Sequence, residues 1–159
     1  MDLFRRFASP TPMNLGWGLA VLRGVVGFTF FMHGWQKLFE FGIAGVAGAF
    51  AQMGVPLPAV SGPLVSVLEL VGGAAIVLGL GTRWIAIPLA IDMLVAIVLV
   101  HLPSGFFAPN GAELPLLLLG GVVALVLTGP GAYALDGVIA RTERRPRSGD
   151  QRVASSWQR

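Results

Sequence analysis

Five side chains able to do acid–base or ligand chemistry sit inside or at the edges of the chain's apolar stretches: His33, Lys37, Glu69, His101 and Glu113. Both histidines of the sequence are among them. Placed on helices that cross a bilayer, all five fall in one leaflet, the outer one, and every helix contributes. A mixed His/Lys/Glu cluster can bind a polar headgroup, pass protons or ligate a metal. The competing reading is a latch, Lys37 with Glu69 and His101 with Glu113, that holds helix ends together. Interhelical polar contacts in bilayers average only about 0.6 kcal/mol, whereas an ionised group at mid-bilayer costs about 2.5–3.5 kcal/mol on insertion scales. A latch alone does not offset five such residues, so a binding or proton-handling role is preferred. No short ligand spacing joins the histidines to the glutamates, and no metal is assigned. Two histidines on different helices at similar depth resemble a bis-axial pair for b-type haem, but four short helices scarcely enclose the apolar slot a haem needs, and haem is disfavoured.

A second set lies deeper. At about 100° per residue, Arg23, His33, Lys37 and Glu40 share one arc of roughly 100° on the first apolar stretch, while Gln36 falls away from it. That arc must face protein or a wet cavity. Arg23 lies about 12 Å in from the cytoplasmic start of its helix, and Asp92, eight residues after Trp84, reaches nearly the same depth on another helix. The two are natural ion-pair partners, read as a structural pair rather than a proton relay.

The elements that carry these residues follow from composition. The chain has 159 residues, 55% hydrophobic and 12% charged, with a mean hydropathy of +0.76. Soluble domains carry about 25% charged residues, and half of that cannot cover a small water-soluble protein. The same hydrophobicity excludes a disordered chain. The absence of cysteine excludes disulfides, thiol redox chemistry, cysteine-held Fe–S clusters and c-type haem attachment. Four continuously apolar stretches, Leu15–Leu38, Pro63–Leu80, Ile85–Leu102 and Leu114–Thr128, predict helices rather than a barrel, the last continuing through Gly129–Ala134. Asn14 is the expected N-cap of the first, Pro63 and Pro115 suit first turns, and Pro88 is a candidate kink. The first stretch is too long for a signal peptide and lacks a small-residue cleavage site, so it is expected to remain as a helix.

The predicted fold class is all-α, a polytopic four-helix membrane bundle: an N-terminal arm over 1–14, the bundle over 15–137, and a basic, disordered tail over 138–159. Between the first two spans, Ile43, Val46, Ala47, Phe50 and Ala51 fall on one stripe of Phe41–Gly62. They predict a short helix on the outer leaflet, either a lid or a packed connector, ended by Gly54-Val55-Pro56. Gly24 and Gly27, Gly72-Gly73 and Gly120-Gly121 are placed to let helices approach closely.

Arginine placement sets the orientation. Arg5 and Arg6 precede the first span, Arg83 lies between the second and third, and Arg141, Arg144, Arg145, Arg147, Arg152 and Arg159 follow the fourth. The other two connections hold neither lysine nor arginine beyond the first span's end. Both termini are therefore expected in the cytoplasm, with Trp17 and Trp84 at the inner interface and Trp35 near the outer one. The basic tail belongs beside anionic lipid headgroups, and no nucleic-acid role is expected because no folded reader accompanies the charge.

The ordered set Arg23…Gly27…His33-Gly34…Lys37-Leu38, Gly54-Val55-Pro56, Glu69-Leu70-Val71-Gly72-Gly73, Leu78-Gly79-Leu80-Gly81-Thr82-Arg83, His101, Glu113-Leu114-Pro115 and Gly129-Pro130-Gly131 with Leu135-Asp136 resembles DoxX-type membrane proteins over roughly residues 15–137. The resemblance implies a four-helix bundle in a bacterial plasma (inner) membrane. It also implies a link to quinone chemistry, as in a subunit of a thiosulfate:quinone oxidoreductase, to membrane complexes with soluble redox-defence proteins, or to resistance against quinone-like electrophiles. Asp92 lies outside that pattern, and no catalytic residue is carried over. Three readings stand: a quinone-linked accessory or redox subunit that takes electrons from a partner; a non-enzymatic scaffold recruiting soluble redox-defence proteins; and a transporter of a small polar solute, for which a homo-oligomer would double the helices.

Overall fold

The computed structural model describes residues 12–143. It is all helical, with no strand among the described residues. α1 (Pro12–Trp35) runs on as a π-helical turn over Gln36–Phe41. α2 (Gly42–Gln52) is the short helix expected from the stripe. α3 (Pro58–Leu78) returns, and α4 (Thr82–Ala96) continues through a π-helical turn, Ile97–His101, and a 3₁₀ turn, Leu102–Ser104. α5 (Glu113–Thr128) and a short α6 (Leu135–Glu143) complete the chain. The helical units starting with α1, α3 and α4 are long and apolar enough to cross a membrane; α5 is apolar but only 16 residues long. At about 24 Å it is shorter than the hydrocarbon core of about 30 Å.

Several boundaries differ from those the sequence suggests, each for a local reason. α1 begins at Pro12, so Asn14 lies within its first turn instead of capping it. α3 begins at Pro58, which takes the first-turn place and leaves Pro63 inside the helix. Pro115 does lie in the first turn of α5, and Pro88 lies within an uninterrupted α4. α5 does not continue through Gly129–Ala134: it stops where Gly129 takes φ +87°. The first residues of the expected disordered tail, 138–143, are the end of α6. The rest of that tail and most of the N-terminal arm lie outside the described residues.

Helix packing is organised by glycine. α1 and α3 approach so closely that a Cβ on Gly27 would meet the backbone nitrogen of Val77 at 2.8 Å, and one on Gly34 would collide with the backbone of Leu70. A Cβ on Gly73 would strike the backbone of Phe31. In a bilayer, where lipid is as apolar as leucine, such contacts are the main source of helix association. Each glycine pair expected to pack splits its work. Gly27 faces α3 while Gly24 meets open space, and Gly121 faces Val26 while Gly120 is open; Gly72 packs on Leu89 and Ile85 of α4. The core they frame holds Val26 and Phe30 of α1, Ile76 of α3, Leu89 of α4, and Val122 and Leu125 of α5. Val21, Val25, Phe28, Met32 and Trp35 form an exposed stripe along the other side of α1, the side available to lipid. α2 lies on α3 with Val46 and Ala47 against Gly62; Ile43 and Ala51, assigned to its packed stripe, are exposed.

The glycine contacts generate a graded expectation. Gly73→Ala must force backbone apart and should cost about 1–3 kcal/mol, whereas Gly24→Ala should stay within about 0.5 kcal/mol of wild type. Unfolding in mixed micelles measures both, and equal losses would contradict the packing described.

Candidate functional site

The bundle has two polar ends with different construction. At the end where α1 starts and α5 stops, called here the terminal end, the ties run to backbone. Arg23 is 5% exposed. Its Nη1 donates to the Pro130 carbonyl at 2.9 Å and its Nη2 to the Tyr133 carbonyl at 3.1 Å. The carboxylate that acts on it electrostatically is Asp136. Asp136 also caps the start of α4, accepting from Gly81 N–H at 2.7 Å and Thr82 N–H at 3.1 Å, while its own N–H donates to Gly79 O at 2.9 Å. The segment after α5 thus folds back along α1, and Ala132 N–H donates to Gly16 O.

The expected Arg23–Asp92 pair is therefore not formed. Arg23 sits at the level of the α3–α4 turn, where Gly79 packs beside its guanidinium. Asp92 lies farther along the bundle, facing Glu69 and Lys37. The sequence holds one signal for this. Counted from the start of α3 at Pro58 and back from the end of the α4 unit at Ser104, Glu69 and Asp92 both lie about 16–18 Å in.

The other, distal end holds the candidate site. Glu69 on α3 is 3% exposed and ion-paired with Lys37, whose side chain is 20% exposed. This half of the expected latch is present. Asp92 on α4 completes a cluster of two carboxyl groups and one ammonium; its carboxyl lies within hydrogen-bonding reach of Glu69, and its Oδ2 is buried. His33, one helical turn before Lys37, is within electrostatic reach of both Lys37 and Glu69. His101, at the end of the α4 π-turn, bonds through Nδ1 to the Asn110 carbonyl at 2.8 Å. A carbonyl can only accept, so Nδ1 carries the hydrogen and Nε2 is the ring's acceptor when neutral.

The second half of the expected latch is absent. Glu113 turns away from His101 and accepts from Ala108 N–H at 3.0 Å, and its own N–H donates to Phe106 O. It pins the loop between α4 and α5 and stands outside the cluster. Gln36, expected to fall away from the polar arc, joins the site instead: it is three residues from His33 and lines two of the same cavities.

Those cavities give the cluster its character. One of them, about 330 Å³, lies between α1, α3 and α4 and is covered by the end of α2. Its apolar wall includes Phe41, Phe50, Met53, Val65, Met93 and Val100. Its polar wall is His33, Gln36, Lys37, Glu69, Asp92 and His101. A second cavity, about 200 Å³, lies between α1, α4, α5 and the α4–α5 loop, and shares His33, Lys37, Glu69 and His101 with the first. A largely apolar chamber with a few convergent polar groups is the usual form of a small-molecule site. Here the groups can donate hydrogen bonds, accept them and exchange protons. Among the described residues, no three His, Cys, Asp or Glu side chains converge to hold a metal ion.

Comparison with known proteins places the chain. A family model described as DoxX matches residues 18–102, which carry α1 to α4 and every member of the cluster. An "Uncharacterized membrane protein Rv3486" from Mycobacterium tuberculosis is 37% identical over 126 residues, covering 72% of this chain and 77% of the relative. A "Putative oxidoreductase CatD" from Bacillus subtilis is 33% identical over 127 residues, covering 80% and 90%. An "Inner membrane protein YqjF" from Escherichia coli is 35% identical over 128 residues, covering 77% and 92%. No solved structure matches the chain.

The two ends predict opposite outcomes in double-mutant cycles. Arg23→Leu and Asp92→Leu share no partner, so their costs should add within about 0.5 kcal/mol. Lys37→Met and Glu69→Gln should instead show a coupling of about 1 kcal/mol or more, since each leaves the other's polar group buried. Additivity at Lys37 and Glu69, or strong coupling between Arg23 and Asp92, would reverse the assignment.

Proposed function

The chain belongs to the DoxX family of integral membrane proteins, and on that premise we propose that it is a quinone-binding accessory or redox subunit of a bacterial inner membrane. The observation that carries this reading is the chamber of about 330 Å³ whose apolar wall meets the Lys37–Glu69–Asp92 cluster. A quinone, when bound, takes up two electrons and two protons to become a quinol. Its ring and tail suit Phe41, Phe50, Met53 and Met93; its carbonyls need donors, which Lys37 and His33 can supply. The buried Oδ2 of Asp92 stands beside the Glu69 carboxyl and can accept from a donor such as a ligand hydroxyl. Glu69 and Asp92 together can hold a proton between two carboxyl groups beside one ammonium and give it up to the ligand.

The electrons come from elsewhere. No cysteine pair or cysteine-held cluster exists in this sequence to carry them, so the role is that of a subunit serving a redox partner, soluble or in the membrane. One relative's name, an oxidoreductase from Bacillus subtilis, points the same way, and the Escherichia coli relative's name supports the inner membrane. A scaffold or a transporter remains compatible with the fold, but a scaffold needs no chamber beside its ion pair, and the chamber is what favours a ligand.

Mass spectrometry of lipids extracted from protein purified in mild detergent tests the reading directly. Quinone should be retained by wild type and fall at least about tenfold in Glu69→Gln, a loss near 1.4 kcal/mol of binding, with the unfolding midpoint of the variant recorded alongside. No quinone in either protein would set the reading aside in favour of the scaffold.

Orientation is open to an equally direct measurement, because the native sequence has no cysteine. Arginine placement puts both termini in the cytoplasm. A cysteine at Phe107, whose side chain is 78% exposed on the α4–α5 loop, should label with an impermeant thiol reagent in spheroplasts. A cysteine at Ser148 should label only after the membrane is opened. The reverse pattern would invert the topology.

A further inference from the structure

Among the described residues, His33 lines three cavities at once. It lines the main chamber, the cavity beneath the α4–α5 loop and a third, open groove of about 210 Å³ on the outer side of α1. That groove is lined by Met32, His33, Gln36 and Glu40, and Glu40 is exposed. A carboxylate on a membrane helix is expected where water reaches it, so Glu40 marks the wet mouth of the groove. His33 also lines the main chamber together with Lys37, Glu69 and Asp92, and Glu69 and Lys37 act on its ring electrostatically. Gln36 also lines both the groove and the main chamber, but an amide does not take up and release protons as an imidazole does.

We propose that His33 is the relay residue through which the carboxyl pair of Glu69 and Asp92 exchanges protons with water, by way of the Glu40–Gln36 groove. An imidazole suits this because it has two ring nitrogens on opposite edges. It binds a proton arriving from water on one nitrogen and releases the proton already on the other to the carboxylate. The ring returns to its neutral form, a turn of the ring restores the starting tautomer, and the carboxylate has gained the one proton the water lost. Lys37 in the π-turn after α1 and Glu69 on α3 act on the ring electrostatically, and the titratable groups that share its cavities are Glu40 in the same π-turn, Asp92 on α4 and His101 in the π-turn beyond it. α2 carries no ionisable residue, and Glu113 of α5 is turned to the Ala108 N–H.

The proposal deepens the functional reading above and rests on it for the use of the protons, though not for their route. The route is therefore tested without a quinone. The infrared C=O band of a protonated carboxyl shifts when hydrogen is replaced by deuterium, and Glu69→Gln and Asp92→Asn assign the band. After transfer of detergent-solubilised protein to deuterium oxide, the band should shift at least about tenfold more slowly in His33→Gln and His33→Phe than in wild type, as removal of a proton-transfer group predicts. His33→Gln, which keeps a polar side chain of similar size, carries the test if the phenylalanine disturbs packing. A wild-type rate in His33→Gln would overturn the proposal. So would slowing by His101→Gln instead, which assigns the route to the loop-side cavity, or a band untouched by both carboxyl substitutions. Retention of quinone in the extraction experiment is indifferent to these rates, so either idea can fail alone.

Discussion

Backbone contact between α1 and α3 is the constraint on which the candidate site depends. Gly34 lies against Leu70, the residue after Glu69, and Lys37 follows Gly34 by one helical turn. With the two helices touching at Gly27, Gly73 and Gly34, the register that sets Lys37 opposite Glu69 leaves no room for sliding. Two side chains that would be expensive separately in a bilayer are thereby delivered as a pair. The same contact is made where there is no side chain to yield, so the pair's position is fixed by main-chain geometry and not by adjustable rotamers.

Around that contact the molecule separates two kinds of polarity. At the terminal end, charges are spent on carbonyls and N–H groups: Arg23 on Pro130 and Tyr133, Asp136 on Gly81 and Thr82. Those bonds satisfy loop backbone that would otherwise be stranded beside the membrane. At the distal end, charges face one another and a largely apolar chamber, with two carboxyl groups beside one ammonium. A bundle that only needed closing could have used the first construction at both ends. The contrast, more than any single residue, marks the distal end as the place where a ligand's polar groups would be received.

How much of this was legible in the sequence depends on what each residue binds. The spans, the short α2 and the Lys37–Glu69 pair were readable, because hydropathy and the meeting of opposite charges at one depth are side-chain properties. Arg23 was misassigned because its partners are backbone carbonyls of a loop, which leave no mark on residue identity. Asp92 followed it into error: it was matched to Arg23 by counting from Trp84, whereas the structure sets it beside Glu69 and Lys37. The missing contact of His101 with Glu113 has the same origin, since both side chains are satisfied by main-chain groups of the intervening loop. Gln36 was discounted by an angular argument that treated forty degrees as decisive on a helix about to widen into a π-turn.

The cap that Asp136 places on α4 carries a consequence for the order of assembly. The carboxylate that completes the α3–α4 turn lies 54 and 55 residues downstream of the N–H groups it receives. During synthesis, α3 and α4 enter the membrane with that turn still open, and headgroups or water must serve the Gly81 and Thr82 N–H groups meanwhile. The turn closes only when α5 has crossed and the chain has doubled back along α1. A nascent chain stopped short of residue 136 would have all its spanning segments but a loose corner, exposed on the face where the termini emerge, and so distinguishable from a finished one.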